Sequence, residues 1–87
     1  MVTRDIKVCN RAGIHARPAA NIVKVANKFD SELYLEKGTM KINGKSIMGI
    51  ITLGATYQST LTMICEGPEE EAMADAIETL FQNRFEE

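Results

Sequence analysis

A single histidine stands in the 87 residues, inside the segment Gly13-Ile14-His15-Ala16-Arg17-Pro18. A neutral imidazole has a free ring lone pair and can act as a nucleophile. Pro18 and the apolar spacing after it place the start of a helix close to His15. The first backbone N–H groups of a helix lack intrahelical partners and carry partial positive charge. Here they come from about Ala16 and Arg17 onward, and they form a cradle for an anion beside the ring. Arg17 adds a guanidinium suited to phosphate oxygens, and Gly13 lets the chain turn sharply into the helix. Nucleophile, anion cradle and arginine together describe a phosphohistidine site. The competing reading is a histidine that merely caps a helix.

Composition narrows the alternatives. Eighty-seven residues suffice for one modest core and not for two, so a single domain over residues 1–87 is expected. Ten Lys+Arg against twelve Asp+Glu give a net charge of −2. That balance speaks against coating nucleic acid and against a polybasic membrane anchor. A structural zinc site usually takes four Cys or His ligands. Only Cys9, Cys65 and His15 are on offer, so no metal is expected. No apolar run nears the roughly 18–20 residues of a membrane span, and no long apolar stretch follows Met1, so a secretory signal is not expected. The expected compartment is the cytoplasm. Cys9 and Cys65 read as small buried thiols rather than a disulfide.

The elements that must position the motif follow from periodicity. Residues 2–9 alternate Val2, Ile6 and Val8 against Thr3, Asp5 and Lys7, as in a strand with one buried face. Asn10 to Gly13 break it. Residues 16–28 change period, with Ala19, Ile22, Val23, Ala26 and Phe29 on one helical face. Glu32–Glu36 and Thr39–Ile42 read as a hairpin across Lys37-Gly38. Ser46 is a preferred N-cap, and it predicts a short helix Ile47–Leu53 closed by Gly54. Thr60–Glu66 is a further strand. Pro68 and the acids after it start a last helix, whose apolar stripe is Met73, Ala76, Ile77, Leu80 and Phe81. The order β-α-β-β-α-β-α predicts an α+β domain of two layers, with one sheet face solvated.

Gly13-Ile14-His15-Ala16-Arg17-Pro18-Ala19 resembles the active-site motif of the HPr family, the histidine phosphocarriers of the phosphoenolpyruvate:sugar phosphotransferase system (PTS). Lys45-Ser46-Ile47-Met48-Gly49-Ile50-Ile51-Thr52-Leu53-Gly54 resembles the family's regulatory serine segment. Length and element order agree along the whole chain. The resemblance implies an HPr-like open-faced β-sandwich, a four-stranded antiparallel sheet with three helices on one face. It implies a phosphoryl carrier rather than an enzyme, monomeric and without metal or organic cofactor. His15 would accept the phosphoryl group at Nδ1 from Enzyme I and pass it to IIA domains of sugar permeases, with Arg17 stabilising the phosphate.

Ser46 has two readings. It is the N-cap, and the resemblance implies regulatory phosphorylation there by HPr kinase/phosphorylase. The resemblance also implies a docking surface of Ala16, Ala20, Ile47, Met48 and Ile51, rimmed by Lys24 and Lys45. Two positions depart from the family pattern. Gln58 stands where many relatives have glycine, so it must accept the turn geometry or the turn must differ. Asn27 stands where relatives often have lysine. The alternative function is a regulatory HPr-like protein, acting through its phosphorylation state without sugar transport.

Overall fold

The computed structural model describes residues 1–86. Strand β1 (Val2–Lys7) leads to helix α1 (Ala16–Ala26), then to strands β2 (Glu32–Lys37) and β3 (Met40–Asn43). Helix α2 (Ile47–Leu53), strand β4 (Thr60–Glu66) and helix α3 (Glu70–Gln82) follow, and a 3-10 turn (Arg84–Glu86) comes last. The sheet order is β1-β4-β2-β3, and every neighbouring pair is antiparallel.

That order explains why the helices share one face. β1 and β2 are parallel and lie either side of β4, so α1 crosses over β4. β3 and β4 are likewise parallel, and α2 crosses over β2 in the opposite direction. Crossovers of this kind are right-handed almost without exception. Two right-handed crossovers that run opposite ways on antiparallel strands put both helices on the same side. α3 then packs on β1 and β4 beside them. Leu33, Leu35, Leu61, Met63 and Cys65 alternate toward this layer and are buried against Ile22, Ile50, Ile77 and Phe81. The opposite face carries exposed Thr3, Asp5 and Lys7 and half-buried Tyr34, Thr62 and Ile64.

Local signals set most element ends. Ser46 Oγ accepts from Gly49 N at 3.1 Å, and Gly54 closes α2 in the left-handed conformation at φ 68°. The end of α1 is set by short-range bonds and the start of α3 by distant ones. α1 stops at Ala26 rather than near residue 28, because Lys28 N and Phe29 N bond back three residues to Val25 O and Ala26 O and tighten the last turn. α3 starts at Glu70, so Pro68 lies outside it. Its start is fastened by Glu69 N donating to buried Ser31 Oγ (2.9 Å) and by Asp30 N donating to Glu69 Oε1 (2.8 Å). Ala74 is buried on α3 and Ala76 is only half-buried, which turns the apolar stripe slightly from its expected line. β1 ends at Lys7, yet Val8 stays fully buried, held by Val8 N to Ser59 O (2.9 Å) and Gln58 N to Val8 O (2.8 Å). Arg4 is half-buried on β1 and bonds Asp75 and Glu78 of α3 at 2.8 Å each.

Phe81 is buried and meets the Phe85 ring edge-on at 4.9 Å. Phe81→Ala should lower stability by about 3–5 kcal/mol, read as a fall in the urea midpoint at unchanged slope. Burial pushes the Cys65 thiol up to about 11, while Cys9 is half-exposed. At pH 8 the folded protein should take up iodoacetamide at Cys9 and spare Cys65 until denatured, as mass spectrometry of the alkylated protein would show.

Candidate functional site

His15 is the N-cap residue of α1, with extended backbone (φ −108°, ψ −161°). Its carbonyl accepts the first helical bond, from Ala19 N at 3.0 Å. Its side chain makes no capping bond. The helix therefore begins with Ala16, Arg17 and Pro18. Proline has no N–H, so the amides of Ala16 and Arg17 are left pointing out of the helix start with no intrahelical carbonyl. The His15 and Arg17 side chains are both exposed. Among the described residues neither has a hydrogen-bond or ion-pair partner. A ring nitrogen, two backbone donors and an exposed guanidinium thus share one helix start.

The approach to His15 is tightly built. Gly13 has φ +74°, and a Cβ there would lie 2.8 Å from Ala55 O. The same carbonyl accepts Ile14 N at 3.0 Å. Ile14 is buried. The segment before His15 is thereby pinned to the loop that follows α2. Asn10 closes this segment from the other side: Gly13 N donates to Asn10 O at 3.1 Å, and Asn10 Nδ2 donates to Gly13 O. Sequence reasoning missed Asn10, because a polar residue in an Asn-Arg-Ala-Gly breaker reads as exposed turn.

The other candidate residues fall on two neighbouring surfaces. Ala16, Ala20 and Lys24 are exposed along one line of α1. On α2, Met48 is 70% exposed, Ile47 41% and Ile51 37%, while Ile50 and Leu53 face the core. α1 and α2 pack together, and the Ala55 contact puts the C-terminal end of α2 beside His15. Lys45 is half-buried, and its Nζ bonds Phe29 O at 3.0 Å, which fixes its ammonium at the rim. Ser46 is half-exposed beside it and holds its capping bond. Gln58 takes the left-handed conformation itself (φ 69°), so the loop keeps the geometry that glycine would favour. Asn27 is exposed at the end of α1. Among the described residues no three His, Cys, Asp or Glu side chains cluster as metal ligands, and no helix is long and apolar enough to cross a membrane.

Comparison with known proteins points the same way. A family model described as the PTS HPr component phosphorylation site matches residues 2–83. The chain is 52% identical over 87 residues to the phosphocarrier protein HPr of Treponema pallidum, covering 100% of this chain and 99% of that protein. The crystal structure of HPr from Thermoanaerobacter tengcongensis superposes with a TM-score of 0.96 at 40% identity, covering 100% of this chain and 98% of that one. The crystal structure of Crh, a catabolite repression protein of Bacillus subtilis described as a swapped dimer, superposes at 0.78 with 36% identity and 97% coverage of each chain. The chain belongs to the HPr family of PTS phosphocarrier proteins.

Proposed function

We propose that this protein carries a phosphoryl group on His15 Nδ1 between phosphorylated Enzyme I and IIA domains of sugar permeases. The observation that supports it best is the exposed imidazole, unpartnered among the described residues, beside two free helix-start amides and Arg17. The Nδ1 lone pair forms the new N–P bond as the donor's P–N bond breaks, and the donor ring keeps the released electron pair. The Ala16 and Arg17 amides receive phosphate oxygens, and the guanidinium adds a charge-assisted fork. These are moderate stabilisers, and the group stays exchangeable. Ala16, Ala20, Lys24, Lys45, Ile47, Met48 and Ile51 form the docking surface, an apolar centre with a charged rim. The carrier works in the cytoplasm as a monomer and supplies no enzyme activity of its own.

Phosphorylation of Ser46 by HPr kinase/phosphorylase regulates the carrier in this reading. A phosphate at a helix N-terminus is tolerated locally, and its charge repels an acidic partner next to Met48. The likeness to Crh supports a second reading, a regulatory protein without sugar transport. In an organism with permease genes the first reading is expected, and with only Enzyme I and kinase genes the second.

Enzyme I and labelled phosphoenolpyruvate should place acid-labile, base-stable label on the wild type and none on His15→Ala. Equal label on both would exclude His15. Arg17→Ala should transfer about tenfold or more slowly at unchanged stability, and wild-type kinetics would remove its role. Ser46→Ala should lose about 1 kcal/mol of stability with the cap and take no phosphate from the kinase and ATP. Mass spectrometry showing no label on wild-type Ser46 would end the regulatory reading.

A further inference from the structure

The His15 imidazole has no side-chain partner among the described residues to aim it. In most sites a nucleophilic or ligating histidine is oriented through its second nitrogen by a carboxylate or carbonyl. Here the backbone must do that work. The backbone that enters His15 is held by three bonds: Ile14 N to Ala55 O, Gly13 N to Asn10 O, and Asn10 Nδ2 to Gly13 O. Asn10 supplies two of them and is the side chain in the set. It is fully buried, and among the described residues its Oδ1 has no partner. A buried amide oxygen left without a partner is destabilising, and a fold selected for packing alone is better served by an apolar residue at that place. The donor half of the amide is the reason to keep it, because it fixes the Gly13 carbonyl, and with it the Gly13–Ile14 peptide plane that leads into His15.

We propose that Asn10 is a positioning residue for the His15 ring. It acts through the Gly13 carbonyl and does not touch the phosphoryl group. Asn10→Ala removes the donor and the volume. Asn10→Asp keeps the shape and the oxygen but has no N–H to give, which separates donation from packing.

The test compares both variants with the wild type, after confirming folded amide spectra. Ring proton and nitrogen signals of His15 should shift in both variants, with a changed balance of its tautomers. Single-turnover transfer from phosphorylated Enzyme I should slow about tenfold at saturating donor, with the half-saturating donor concentration unchanged. A purely structural role would lower the urea midpoint and leave both readouts where they were. Unchanged ring signals, or a wild-type transfer rate in either folded variant, would overturn the proposal. Should one variant fail to fold, the other decides. The transfer arm rests on the phosphocarrier reading. If the wild type itself accepts nothing from Enzyme I, that reading falls, and the ring signals still decide the role of Asn10.

Discussion

One carbonyl holds the site together. Ala55 O accepts the Ile14 amide and lies where any side chain at Gly13 would sit. It joins two loops that are far apart in sequence, the one that enters α1 and the one that leaves α2. The two helices that carry the exposed candidate residues are registered against each other at this point. If the joint moved, the His15 ring and the apolar surface of α2 would move relative to one another. The left-handed Gly54 and Gln58 on either side of Ala55 shape the loop that presents this carbonyl.

The sheet makes that joint affordable. Its helix-facing side is a dense apolar layer, and its other side is partly solvated, so the core lies wholly between sheet and helices. The helix starts and the connecting loops are gathered around this layer. They can be polar and exposed because none of them is needed to fill it. Arg4 shows the same division. It sits on the helix-facing side of β1 near the sheet edge and meets acids on α3, where an apolar residue would have been half-exposed.

Much of this was legible in the sequence because the signals were local. The segment Gly13–Pro18 spans six consecutive residues, and the helix start, the exposed ring and the exposed arginine lie where that short spacing put them. α2 was bounded correctly, Ile47–Leu53, since Ser46 and Gly54 are both cap residues with short-range mechanisms. What stayed hidden depends on long-range contact. Burial of Asn10 requires knowing that the loop folds under Gly13. The rotation of α3 that buries Ala74 in place of Ala76 is set by packing against β1 and β4. The start of α3 is set by Ser31, 38 residues away. The residue type of Gln58 leaves two turn geometries open, and the loop holds this one residue in the left-handed conformation.

Pro18 has a consequence of a different kind. A helix start ordinarily presents a fan of amide hydrogens, and proline at the third helical position deletes one of them. A phosphoryl group has three terminal oxygens and would meet two amides. The mismatch would leave one oxygen facing water or the exposed side chain of Arg17. An anion that is never fully enclosed is easy to release, and it is also open to slow loss by hydrolysis. In a relay, that trade sets the lifetime of the cargo: long compared with an encounter, short compared with storage.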